Sequence, residues 1–290
     1  MKKIVFIHNP KVAGTSIRES LNALGKKNDL KVGSDINDDI IILPERRNTL
    51  FEHPYDLPNI ELINEFQVNF NNTFDKTKIN EISDIFRIYN VLKKLDPSNC
   101  FIFMFFRDPV SRIISAFNHN KRRNKSNNYH FKSDSTNETI NEYIDKVINF
   151  RKINNFKNYD SNLFKKISSM KNLKNTLIER MNYFNELKET YNITEYDLHH
   201  SVNDQVDLVP NYYEKYFDIG PLDKSLKLNF KGVFTNLQND WTKIIDILKL
   251  KSVPLIHENK GNYQPVHLHN DVIEIINNSF KRDLNFYNGN

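Results

Sequence analysis

The sequence predicts an α/β fold of three layers: a central parallel sheet flanked by helices, with a helical insertion in the middle of the chain. Three observations predict it. Two dense apolar runs, "IVFIH" at 4–8 and "CFIFMFF" at 100–106, are each followed by a helical pattern. Continuous apolar runs mark strands covered on both faces, which is the condition of a parallel sheet. The strand–helix order then recurs near the C-terminus, as crossover connections in one sheet require. The stretch 121–215, by contrast, is polar, rich in Asn and Lys, and helical by pattern. It reads as an insertion or lid, so residues 1–290 are taken as a single domain.

Each element follows from local pattern. "IVFIH" is short, β-branched and aromatic, and is closed by Asn-Pro. Ile17, Leu21 and Leu24 then fall at i, i+4 and i+7, a helical stripe expected to end near Gly25. "DIIIL" at 39–43 and "TLFEH" at 49–53 are further strand candidates. From Lys78 to Leu95, Ile82, Ile85, Phe86, Tyr89 and Leu92 recur at helical spacing. After "CFIFMFF", Val110, Ile113, Ile114 and Phe117 form one stripe, with Asp108 placed to cap the helix and Pro109 suited to its first turn. "FKGVFT" reads as a strand and "NLQNDWTKIIDILKL" as a helix. The final "DVIEIINNSFKRDLNFY" reads as one helix with Val272, Ile275, Ile276 and Phe280 on a common side.

Composition narrows the function. Lys and Arg number 41 against 36 Asp and Glu, a net charge of +5. That modest excess favours anionic small molecules, nucleotides, or sulfated or phosphorylated substrates. It is too dilute for a nucleic-acid partner, and the one short basic block, "KRRNK" at 121–125, is expected to be a solvated loop. A single cysteine, Cys100, excludes an internal disulfide framework and reads as a buried thiol at a strand start. No apolar stretch approaches a membrane span, and the N-terminal apolar run is too short for a signal peptide, so a soluble, cytoplasmic protein is expected.

The first strand opens onto "NPKVAGTS", which places Lys11, Ala13, Gly14, Thr15 and Ser16 where strand gives way to helix. A helix start presents main-chain N–H groups and the positive end of the helix dipole. Gly14 lets a ligand approach, Thr15 and Ser16 add hydroxyls, and Lys11 adds a mobile charge. Together these suit an anion. The nucleotide-hydrolysing P-loop, G-x-x-x-x-G-K-[ST], fits poorly, because here lysine precedes the one glycine.

"PKVAGTS" instead resembles the 5′-phosphosulfate loop of the sulfotransferases, P-K-x-x-[GS]-T-[ST]. "RDPVSRIISAF" from Arg107 resembles the R-D-P-x-x-R-x-x-S-A segment of the carbohydrate-modifying members. The resemblance implies that Arg107 and Ser115 hold the 3′-phosphate of 3′-phosphoadenosine-5′-phosphosulfate. It also implies a P-loop-like α/β fold and transfer of a sulfuryl group to a hydroxyl of a carbohydrate or related acceptor, with no metal required. "NLQNDW" and "SFKRDLNFY" resemble later family segments. "HENKGNY" occupies the place of the loop that closes over the donor nucleotide, which implicates Lys260 and Gly261.

Such a transfer needs a base near the loop. His53 follows a strand candidate between the two phosphate segments, and Glu52 adjoins it. His199 and His200, in "DLHHSVNDQ", resemble an acceptor-site H-x-x-P-Q segment that ends at Gln205, although the proline is missing. His53 and His200 are the leading catalytic candidates beside Lys11, and His8 reads as structural. Two rivals remain open at this point: a P-loop-like nucleotide kinase and a noncatalytic polyanion-binding protein. Acceptor identity and oligomeric state are not specified by the sequence.

Overall fold

The computed structural model describes residues 2–9, 11–43, 91–92, 94–125, 139–154, 205–208, 227–257 and 266–289, with backbone only at 120, 122–125, 150–154 and 207–208. Among them are strands β1 (Lys3–Ile7), β2 (Val32–Gly33), β3 (Ile40–Leu43), β4 (Cys100–Phe106) and β5 (Phe230–Val233). Helices are α1 (Gly14–Asn28), α2 (Pro109–Lys125), α3 (Ile140–Asn154), α4 (Leu237–Leu248), α5 (Asn270–Ser279) and α6 (Lys281–Asn288). The strands form one sheet in the order β2-β3-β1-β4-β5, and every pairing is parallel.

Both faces of the sheet are buried, which explains the continuous apolar runs. Period-two alternation sends Phe101, Phe103 and Phe105 of β4 to one face with Ile4 and Phe6 of β1. There they meet Ile17, Leu21 and Leu24 of α1 and Trp241, Ile244 and Ile245 of α4. Ile102, Met104 and Phe106 point to the other face with Val5 and Ile7, against Leu92, Leu95, Val206 and partly buried Phe286 and Tyr287. Burying each such side chain stabilises the fold by about 1.5–3 kcal/mol, so β4 is its principal anchor. The thiol of Cys100 is buried at the start of β4, and that burial raises its pKa.

A further apolar cluster joins α2, α3 and α5 through Ile113, Phe117, Tyr143, Val147, Ile276 and Phe280. Helix α3 lies within the 121–215 stretch, so this part of it is packed against the main body. The start of α3 is fixed by reciprocal capping. Thr139 N and Oγ1 donate to Glu142 Oε2 at 2.7 and 2.9 Å, and Glu142 N donates to Thr139 Oγ1 at 3.3 Å. Those bonds lower the Glu142 pKa. No helix among the described residues is long and apolar enough to cross a membrane.

The structure corrects several local expectations. Helix α1 runs past Gly25 to Asn28, because Gly25 is a packing position: a Cβ there would overlap Val32 of β2. The two-residue strand β2 was too short to carry a pattern. The "KRRNK" block continues helix α2 instead of forming a loop. The final segment is two helices, since Phe280 at φ −111° and ψ 33° interrupts the helical path. Ile275, expected on the buried side, is 48% exposed, while Ile276 and Phe280 are buried. Strand β5 ends at Val233 and gives way to a 3-10 turn at Phe234–Asn236. The "TLFEH" strand and most of the helix expected at 78–95 lie outside the described residues.

Candidate active site

The order of the sheet decides where a ligand can sit. From β1 the chain moves outward to β2, returns through β3, and then crosses to β4 on the other side of β1. The loops after β1 and β4 therefore diverge from neighbouring strands, which creates a crevice at their carboxyl ends. The register places Ile7 opposite Met104, so the Lys11 loop and Arg107 emerge side by side.

The first loop has an unusual backbone. Lys11 and Ala13 both take left-handed conformations, at φ 66° and 54°. For residues with a Cβ this costs on the order of 1–3 kcal/mol each. Buried Val12, between them, belongs to the core under α1 and α4, and so holds the loop in place. Turns of this kind gather main-chain N–H groups into an anion-binding concavity. Ala13 is also the N-cap of α1, so no capping side chain competes for the first-turn amides, and that turn holds no acidic residue. Thr15 is half-buried and Ser16 buried. Gly14 faces the His8 imidazole so closely that a Cβ would overlap the ring. His8 itself continues the ladder by donating its N–H to Leu43 O.

Arg107 reaches across to this loop. Its Nη1 donates to Lys11 O at 3.2 Å and its Nε to Ser111 Oγ at 3.1 Å. The guanidinium also lies 4.0 Å above the centre of the Phe234 ring. Asp108 caps α2 by accepting from Ser111 N at 2.9 Å, as the sequence predicts. Ser115, half-buried, lies one turn beyond Ser111 on α2. Arg112, on the same helix, is buried and approaches Asp283 Oδ2 at 3.7 Å.

Beneath the loops lies a buried polar layer. Asn9 Nδ2 donates to Phe105 O at 3.2 Å and to Gln205 Oε1 at 2.8 Å. Gln205 Oε1 also accepts from Arg107 N at 2.9 Å, and its Nε2 donates to Arg107 O at 2.7 Å. Asp283 of α6 accepts from Gln205 Nε2 at 3.3 Å and from Val206 N at 3.0 Å. Asn9 and Asp283 are not among the candidate site residues that the sequence indicates. The available signal for Asn9 was a polar residue directly after an apolar strand, and Asp283 lies in the "SFKRDLNFY" segment that resembles a family segment.

The chain leading toward Lys260 and Gly261 runs back along α1. Lys251 N donates to Asn28 Oδ1 near the end of that helix, and Ile256 N donates to Ser20 Oγ nearer its start, both at 2.8 Å. Lys260 and Gly261 themselves lie outside the described residues, as do Glu52, His53, His199 and His200. The structure thus brings together Lys11, Ala13, Gly14, Thr15, Ser16 and Arg107, and it sets Ser115 on the adjoining helix.

A family model described as the sulfotransferase family matches residues 1–288. No curated protein and no solved structure matches the chain. The match spans both anion-suited loops and the parallel sheet that carries them, and the chain belongs to the sulfotransferase family, whose chemistry is sulfuryl transfer.

Proposed function

We propose that the protein transfers a sulfuryl group from 3′-phosphoadenosine-5′-phosphosulfate to a hydroxyl of a carbohydrate or related acceptor. One observation carries this reading: the Lys11 loop and Arg107 converge at the carboxyl ends of adjacent parallel strands, with Arg107 Nη1 bonded to Lys11 O. Two cationic side chains beside an uncapped helix start suit a ligand with two separated anionic groups.

In this reading the main-chain N–H groups from Ala13 to Ser16, with the hydroxyls of Thr15 and Ser16, hold the 5′-phosphosulfate. Arg107 and Ser115 hold the 3′-phosphate. Lys260 and Gly261 contribute from the loop that follows Ile256. Ser20 stands about 9 Å along α1 from Gly14, and four residues of chain span at most roughly 14 Å, so that loop can reach the site. The acceptor oxygen forms a bond to sulfur as the bond from sulfur to the 5′-phosphate oxygen breaks. Lys11 neutralises the negative charge that gathers on the leaving oxygen. A base takes the hydroxyl proton, with His53 and His200 the leading candidates and Glu52 and His199 their neighbours.

Isothermal calorimetry tests the reading directly. The protein should bind 3′-phosphoadenosine-5′-phosphate more tightly than 5′-AMP or ATP, without magnesium. Equal affinity for the first two, or a magnesium-dependent preference for ATP, overturns it.

A further inference from the structure

We infer that Gln205 is a positioning residue that aims Arg107 at the donor nucleotide; this rests on the donor reading above. Gln205 is fully buried, and its amide pairs with the main chain of Arg107 as a neighbouring strand would. Oε1 accepts from Arg107 N, and Nε2 donates to Arg107 O. The sheet ladder has ended by this point, since β4 stops at Phe106. Gln205 thus pairs both main-chain groups of Arg107 just past the strand end, and it fixes the direction in which the chain leaves the strand.

The amide is also saturated. A glutamine side chain offers two donor hydrogens and two acceptor lone pairs on its oxygen. Here Oε1 accepts from Asn9 Nδ2 and Arg107 N, while Nε2 donates to Arg107 O and Asp283 Oδ2. One side chain therefore links the loop after β1, the end of β4 and helix α6. Glutamate cannot replace it, because a second acceptor would face both the Asp283 carboxylate and the Arg107 carbonyl. A buried acceptor pair of that kind is strongly unfavourable.

The consequence is specific to one end of the ligand. Arg107 is proposed to contact the 3′-phosphate, whereas the 5′ end is held by the loop on α1. Losing Gln205 should therefore weaken recognition of the 3′-phosphate and leave the 5′ end alone. A residue important only for folding would weaken both.

The test uses Gln205→Met, which keeps length and volume but makes none of the four bonds. Calorimetry with 3′-phosphoadenosine-5′-phosphate and with 5′-AMP is run on the wild type, Gln205→Met, Arg107→Ala and the double variant. By analogy with the outer partners of metal ligands, the expected loss is about ten- to a hundredfold for the bisphosphate and none for 5′-AMP. The loss should vanish in the Arg107→Ala background. If Gln205→Met does not fold, Gln205→Asn carries the same test, since it keeps the amide but withdraws it by one methylene. Equal losses for both ligands, or an undiminished effect without Arg107, overturn the role of Gln205 and leave the donor reading standing. A wild type that does not distinguish the two ligands overturns the donor reading and this inference with it.

Discussion

Arg107 Nη1 donates to the main-chain oxygen of Lys11 at 3.2 Å, although 96 positions of sequence separate them. The same guanidinium lies 4.0 Å from the centre of the Phe234 ring. Its direction is thus set on two sides before any ligand arrives, which reduces the ordering cost of binding.

Replacing Arg107 with alanine should therefore act on one ligand group. Hydrogen bonds to a charged partner contribute roughly 1.5–3 kcal/mol, and 1.4 kcal/mol is about tenfold in affinity. Arg107→Ala should weaken 3′-phosphoadenosine-5′-phosphate by about ten- to a hundredfold and hardly change 5′-AMP. Calorimetry with both ligands checks it, and a matching loss for 5′-AMP would remove the 3′-phosphate assignment.

Lys11 should matter more to turnover than to affinity. Deleting one donor to a developing negative charge lowers the rate by about a hundred- to a thousandfold in comparable sites. Lys11→Ala should show that loss in kcat, with a much smaller change in donor affinity. A variant with normal turnover at saturating donor would restrict Lys11 to binding.

The base is decided by a paired comparison. His53→Ala should abolish transfer while donor-product affinity and Tm stay nearly constant, since a neutral imidazole has suitable basicity near pH 7. His200→Ala, assayed with the same acceptor, should retain activity. The reverse outcome assigns the base to the segment that ends at Gln205.

Gly14 answers to packing as well as to ligand approach. A Cβ at this position would overlap the His8 imidazole, so Gly14→Ala should destabilise the protein by about 1–3 kcal/mol, the usual range for forced overpacking. Adding His8→Ala should recover most of that loss. Urea unfolding of the two single variants and the double variant measures the coupling. Additive losses would show that the His8 ring is not what excludes a side chain at 14.

The elements were legible where the information is local. Strands β1 and β4 announce themselves because both faces of a parallel strand must be apolar, and "IVFI" and "CFIFMFF" meet that demand residue by residue. Asp108 was recognisable as a cap because its partner, Ser111, lies three positions away. The Lys11 loop and the Arg107 segment could be placed at strand ends for the same reason: each directly follows a dense apolar run.

What only the tertiary structure decided is which distant groups meet. Gly25 lies in a helix because β2 packs against it. Phe280 interrupts the last helix and lets Asp283 turn to Val206 and Gln205, although the apolar spacing continues through it. The pairing of Gln205 with Arg107 spans 98 positions and leaves no trace in either local pattern. Hydrophobic period is a property of neighbouring residues, and one chain segment displays it alone. A buried hydrogen bond between remote residues exists only once the sheet register has closed and excluded the water that would otherwise serve both partners.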